Sequence, residues 1–368
     1  MRKILVALFG SIVLLAGCTG GNEAEDSSDA GEVTNEAGSD EPVSNGTVGE
    51  PEVVTEDLNI PWSINHHDDV FYLSERPGNV VVVSDGQKEE QDVELDKKVS
   101  TVSEAGLLGF VLAPDFAESK HAYAYYTYEE EGEVLNRVVL LEQSENVWRE
   151  AEVLLDKIPS GQVHHGGRLK IGPDEKLYTT TGDASEPELA QDKDSLAGKI
   201  LRMNLDGSIP DDNPFENSYV YSYGHRNPQG LAWSEEGELY ESEHGPTAND
   251  EINVIRAGSN YGWPEITGEA SKEGMESPIF TSGDGTTWAP SGMAYSDGKL
   301  YVAALRGTAV LEFDIEAGEM REVVTGLGRI RDIHIEDETL YFISNNTDGR
   351  GEPLDNDDHL YKMDISGL

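Results

Sequence analysis

Pro173-Asp174-Glu175-Lys176-Leu177-Tyr178 is an acidic turn that runs into a strand-like pair ending on tyrosine, and the pattern recurs. Its counterparts are Asp68-Asp69-Val70-Phe71-Tyr72, Lys120-His121-Ala122-Tyr123, Glu236-Gly237-Glu238-Leu239-Tyr240, Asp297-Gly298-Lys299-Leu300-Tyr301 and Asp337-Glu338-Thr339-Leu340-Tyr341. Asp and Gly favour turns, whereas branched and aromatic side chains suit the half-buried surface of a strand. The six tyrosines stand 40 to 62 residues apart. A period of about 50 residues predicts an all-β fold, a six-bladed β-propeller with four strands to each blade. Two β-sandwiches would fit the length but give no reason for six comparable units. Long helical periodicity is absent, and Glu186–Gly198 has room for one short helix in a loop.

Outward from the repeat, residues 51–368 are assigned to the propeller, and what precedes them has another composition. Arg2 and Lys3 stand before the apolar run Ile4–Ala16, the pattern of a secretion signal. Leu15-Ala16-Gly17-Cys18 is similar to the bacterial lipobox, so residues 1–17 are expected to be a lipoprotein signal and Cys18 the lipidated residue. The plainer alternative is an ordinary signal that contains a cysteine. Residues 18–50 carry nine acids, no base and almost nothing to bury, which predicts an extended, disordered linker. The expected location is outside the cytoplasmic membrane, held to it by lipid alone. Cys18 is the only cysteine, so an intramolecular disulfide is excluded.

The 368 residues include 72 acidic and 26 basic side chains, a net charge of −46, of which about −39 lies on residues 51–368. A body so acidic excludes nucleic acid as its partner, because that requires a basic face. The same charge suits a surface adapted to high salt, where screening relieves self-repulsion.

Polar clusters fall between the strand-like runs. The first is Gly161-Gln162-Val163-His164-His165-Gly166-Gly167-Arg168-Leu169. Its glycines allow close backbone approach and its histidines titrate near neutrality, which suits a general base; a surface or weak metal site fits the pair as well. The second is Tyr223-Gly224-His225-Arg226-Asn227-Pro228-Gln229-Gly230. The third begins at Glu241-Ser242-Glu243-His244-Gly245-Pro246 and continues through Asn249-Asp250-Glu251-Ile252-Asn253 to Asn260-Tyr261-Gly262-Trp263-Pro264. Carboxylates and free carbonyls on such turns are hard oxygen ligands suited to Ca²⁺, although acidic loops abound in this chain. The fourth cluster is basic: Arg306, Arg329 and Arg331 stand beside or near glycines, while Arg321 lies in an acidic strand-like run and reads as a surface residue. Guanidinium forks bind carboxylates or phosphates; pairing with neighbouring acids is the competing explanation.

Read together, the clusters resemble the PQQ-dependent soluble aldose sugar dehydrogenases, the glucose/sorbosone dehydrogenase family. The resemblance covers essentially residues 51–368. It rests most on Gly106-Leu107-Leu108-Gly109-Phe110 with Pro114-Asp115-Phe116, on His164 with Gly166-Gly167-Arg168-Leu169, and on Gly224–Gly230, Glu243–Pro246 and Asn260–Pro264. It implies a six-bladed propeller, PQQ and Ca²⁺ as cofactors, and an aldose oxidised at C1 to a lactone. His164 falls at the catalytic histidine, and Arg226 and Asn227 match residues that lie against the quinone oxygens. His244, Arg306, Arg329 and Arg331 match residues bordering the cofactor. The carbonyls of Gly245 and Pro246 match ligands of the cofactor's Ca²⁺, and Glu251 and Tyr261 match a second, structural Ca²⁺ site. Glu104 stands where glucose-oxidising members carry Gln, which points to a different sugar preference, and a shorter body implies a more open site. Val163 stands where some relatives have Asp or Asn, so nothing adjacent in sequence orients the imidazole. No residue identifies an electron acceptor. A Ca²⁺-dependent propeller lactonase and a cofactor-free binding protein are the competing readings, and neither needs three cofactor-facing arginines.

Overall fold

The computed structural model describes residues 49–368. The expected signal, Cys18 and all but the last two residues of the linker lie outside the described residues.

Among the described residues, 24 strands form six four-stranded antiparallel meanders. Sheet 1 comprises Pro61–His67, Val70–Glu75, Asn79–Ser84 and Gln87–Glu94. Sheet 2 comprises Leu107–Leu112, His121–Glu130, Glu133–Ser144 and Val147–Pro159. Sheet 3 holds Leu169–Ile171, Leu177–Thr181, Lys199–Met203 and Val220–Tyr223; sheet 4 holds Pro228–Trp233, Leu239–Glu243, Glu251–Ile255 and Phe280–Thr281. Sheet 5 runs through Pro290–Ser296, Lys299–Ala304, Ala309–Asp314 and Glu319–Thr325. Sheet 6 takes Ile330–Glu336, Thr339–Ser344 and Leu360–Asp364 from the end of the chain and closes with Glu52–Thr55, which pairs antiparallel with Leu360–Asp364. The outermost strands of sheets 1 and 2 also pair, in parallel, from Asp92–Glu94 to Val147–Arg149. First strands of successive sheets neighbour one another around the axis, except that sheet 4's first strand meets the second strand of sheet 3, and sheet 6 returns to sheet 1, giving a propeller-like ring.

Each of the six tyrosines lies in the second strand of one sheet. Second strands are largely buried on both faces, and some read as apolar runs, as in Leu300–Ala304, while that of sheet 4 buries Glu241 and Glu243. The aromatic ring bridges to the next sheet. Tyr72 meets Phe116 and Trp148 edge-on at 5.3 and 6.3 Å, Tyr178 meets Trp233 at 5.1 Å, Tyr240 stacks near Tyr295 at 6.1 Å, and Tyr341 packs on Phe71 at 4.8 Å. Such contacts add about 0.5–1.5 kcal/mol each beyond area burial. The spacing seen in the sequence is therefore the spacing of inter-sheet anchors.

Among the described residues, helix is confined to Phe116–Ser119 and a 3₁₀ turn at Pro187–Ala190, the latter inside the segment given room for one. On the axis, the buried Arg168 guanidinium lies over Trp62 at 4.2 Å, pairs with Asp332 at 2.9 Å and donates from Nε to the Gln229 carbonyl at 2.8 Å. A Cβ on Gly292 would meet Asp332 Oδ1 at 1.7 Å, so glycine is required for that carboxylate to reach the axis. This plug separates the two ends of the ring.

Candidate active site

Sheet first strands begin at one end of the axis, and the polar clusters gather there. They line a cleft of about 420 Å³ that brings together Glu104, His164, Arg226, Asn227, His244, Gly245, Pro246, Arg306 and Arg329. Arg331 lies below, lining an adjoining hollow with His244, Glu104 and Arg350. Glu251 and Tyr261 line a small side pocket with Arg226, Glu243 and Gly245. Two placements differ from the loops read in the sequence. Glu241–Glu243 and Glu251–Asn253 are strand residues of sheet 4, and Arg331 sits in the first strand of sheet 6.

His164 adopts φ +66° and enters the cleft from the loop before sheet 3. Its Nδ1 lies 2.8 Å from Asp183 Oδ1, and Asp183 is itself fixed by N–H groups of Ser185 and the Trp263 indole, both at 2.9 Å. The partner missing from position 163 thus comes from the turn after the second strand of sheet 3. That turn can approach only because residue 182 is glycine, where a Cβ would lie 1.7 Å from the His164 carbonyl oxygen. With Nδ1 engaged, Nε2 is the nitrogen available to a substrate. His165 turns away, is buried, and meets Ser160 Oγ at 2.7 Å; burial pushes its pKa down to about 4.

Glu104 accepts the His164 backbone N–H at 3.1 Å and the Arg350 guanidinium at 2.6 Å. Burial alone would raise its carboxyl, but the Arg350 hydrogen bond and charge hold it down at about 2. Arg350 has a glycine on each side, whereas Arg306 has one only after it, and Arg350 is not among the residues named from the sequence. Arg306 is exposed at the cleft edge, and among the described residues it makes no ion pair. Arg329 is paired with Asp348 at 2.8 Å, and Arg331 donates to Asn345 and Gln229, both at 2.9 Å. Desolvation, together with the Arg329 charge, lowers Arg331 to about 9. Partnering of these arginines by local acceptors is therefore real for two of the three.

Several buried groups facing this region are left without partners: Arg226 Nε, Asn227 Nδ2 and His244 Nε2. Buried polar atoms are rarely left so, and three converging on one cleft fit a polar ligand bearing carbonyl and carboxylate oxygens. Desolvation keeps His244 neutral, with its pKa down to about 4. Cation sites fare unequally. The Gly245 carbonyl accepts Arg226 Nη1 at 2.8 Å, and the nearby Asp250 is consumed by the N–H groups of Gly245, Trp288 and Ala289. Two carbonyls alone are far short of the six to eight oxygens of Ca²⁺, so an ion there depends on oxygens from a ligand and water. Glu251 is better placed. It opposes Glu243 in register, Glu241 lies two residues from Glu243, and among the described residues no cation compensates Glu241 and Glu251. Burial and Glu243 raise Glu251 to about 8, and burial raises Glu241 strongly. A divalent ion would relieve all three. Tyr261 uses its hydroxyl on the Val254 carbonyl and Arg256 N–H, which leaves only its own carbonyl to offer.

Known proteins resemble this chain over most of its described length. A profile described as Glucose / Sorbosone dehydrogenase matches residues 58–356. The aldose sugar dehydrogenase YliI of Escherichia coli (strain K12) is 31% identical over 346 residues, covering 81% of this chain and 90% of its own. Quinoprotein glucose dehydrogenase B of Acinetobacter calcoaceticus is 39% identical over 199 residues, an alignment spanning 46% of this chain and 42% of that protein. The PQQ-bound aldose sugar dehydrogenase of Streptomyces coelicolor superposes with a TM-score of 0.79 at 35% identity, covering 86% of this chain and 98% of the other. These relatives are named as dehydrogenases, oxidoreductases acting on CH–OH groups. The chain belongs to the glucose/sorbosone dehydrogenase family.

Proposed function

We propose that the protein oxidises aldose sugars at C1 to lactones, using PQQ and Ca²⁺, with His164 as general base. The observation that carries this reading is the convergence of three unpartnered polar atoms, on Arg226, Asn227 and His244, beside an imidazole oriented by Asp183. When bound, PQQ supplies the two-electron acceptor for the C1 hydrogen, and Ca²⁺ supplies Lewis-acid polarisation.

The chain's own residues do the rest. His164 Nε2 takes the proton of the anomeric hydroxyl, and Asp183 stabilises the resulting imidazolium through Nδ1–H. Glu104, kept ionised by Arg350, accepts a hydroxyl of the sugar and ties that contact to the His164 backbone. Arg226, Asn227 and His244 would hold the quinone, and Arg306, with Arg329 and Arg331 behind it, would balance its carboxylate charge. Glu241, Glu243, Glu251 and the Tyr261 carbonyl would hold a structural Ca²⁺, whose charge would offset the buried carboxylates of sheet 4.

The test is reconstitution of the purified protein with PQQ and Ca²⁺, followed by dye reduction with several aldoses. Retained quinone absorbance after desalting, with turnover of at least one sugar, is expected. No retained quinone and no reduction would reject the reading. His164→Ala should keep PQQ while losing about 10²–10⁴-fold in turnover. We also propose that Cys18 carries a lipid tether; Cys18→Ser should release the protein from the membrane fraction.

A further inference from the structure

The end of the axis opposite the cleft holds a second constellation. The far halves of four first strands line a cavity of about 280 Å³ there, with Asn65, His66, Leu112, Lys170 and His334 among its walls. His66 and His334 come from neighbouring first strands, those of sheets 1 and 6. One ligating atom from each of His66, His334 and Glu336 lies within 4.8 Å of the others. His66 Nδ1 is already 2.7 Å from Glu336 Oε2, and the His66 ring is fixed by stacking on Phe71 at 4.3 Å. The two imidazole centroids are 5.8 Å apart and tilted by 55°.

Those dimensions match a shared ion. Metal–nitrogen bonds of about 2.0–2.1 Å in tetrahedral geometry place two imidazole centroids about 5 Å apart. A simple His66–Glu336 ion pair would account for one contact but not for a second imidazole lining the same cavity. Donor chemistry narrows the class of ion. Ca²⁺ and Mg²⁺ take oxygen, whereas two imidazoles and one carboxylate select a borderline transition metal.

We propose that His66, His334 and Glu336 bind one divalent transition-metal ion, of which Zn²⁺ is the probe, with its fourth position open to the cavity. The ion clasps sheet 6 to sheet 1, the joint at which the ring closes. It is independent of the cofactor cleft, from which the Arg168–Asp332 plug divides it.

Untagged full-length protein, stripped with chelator and then held in excess Ca²⁺ without PQQ, is titrated with Zn²⁺ by calorimetry, with Tm followed in parallel. One saturable Zn²⁺ per chain is expected, undisplaced by Ca²⁺, with Tm rising by a few degrees. His334→Ala should abolish binding, and Glu336→Gln should weaken it at least about tenfold. No saturable Zn²⁺ would overturn the proposal, as would unchanged affinity in either variant, which would place the ion elsewhere. Should His334→Ala fail to fold, the exposed Glu336→Gln still decides.

Discussion

Sheets 2 and 4 share one topology and spend it differently. Sheet 2 is long, with strands of 10, 12 and 13 residues, and it buries Phe110, Tyr125, Tyr126, Tyr128 and Trp148. Its buried Glu150 carboxylate has a cation: Arg137 meets Glu150 and the partly exposed Asp156, which also accept the hydroxyls of Tyr126 and Tyr128. Sheet 4 has strands of only 6, 5, 5 and 2 residues and buries Glu241, Glu243 and Glu251 with Asn253. Its carboxylates outnumber the cations near them. One four-stranded unit is thus an apolar anchor, while the other buries Glu241 and Glu251 with no cation against them among the described residues. Stability and function have been allotted to different sectors of the ring.

The hardest test of that division is Trp148→Ala. Removing a fully buried indole that touches Tyr72, Phe110 and Phe116 should cost about 3–5 kcal/mol in denaturant melts. PQQ affinity per folded molecule should not change; a shift there would break the contrast between the sheets. Asp183→Asn comes next. Turnover should fall about 10²-fold through loss of imidazole orientation, with PQQ retention intact. An equal loss of PQQ would mean that Asp183 shapes the cleft rather than the base.

Glu251→Gln tests sheet 4 by the sign of its effect. In chelator, removing a buried uncompensated carboxylate should stabilise by about 1–2 kcal/mol, and in Ca²⁺ it should destabilise. The same sign in both media would remove the cation from sheet 4. The smallest effect belongs to Glu104. Its folded carboxyl, near 2, lies below the ordinary 4.5, so its contribution is complete above pH 4.5 and drains away as pH falls toward 2. Arg350 is half exposed, which limits the contribution to less than about 1 kcal/mol. Glu104→Gln should flatten that acid limb of Tm against pH.

The repeat was readable because each tyrosine performs one local task, bridging from a second strand to the next sheet, and local tasks leave periodic marks. Cleft residues in short segments that also contain glycine, such as His164 before Gly166-Gly167 and Arg306 before Gly307, are legible for a similar reason. Asp183 was not, because its neighbours in sequence are ordinary turn residues and only the sheet 3 hairpin carries it to His164. Arg350 is separated from Glu104 by most of the chain, and ring closure alone makes them neighbours. Glu241 and Glu243 were seen as acidic, but in so acidic a chain nothing local marks them as buried. Their alternation on one strand opposite Glu251 supplied that signal only once the pairing was known.

Closure also sets the order of assembly. Leu360–Asp364 is the last of the described strands to leave the ribosome, yet it mates with Glu52–Thr55, which emerged some three hundred residues earlier. At about 5–20 residues per second, the early strand waits tens of seconds for its mate. Throughout that interval the nascent protein carries an unsatisfied edge at each end, open to pairing with a neighbouring copy. Shortening the amino end past Thr55 would make that exposure permanent.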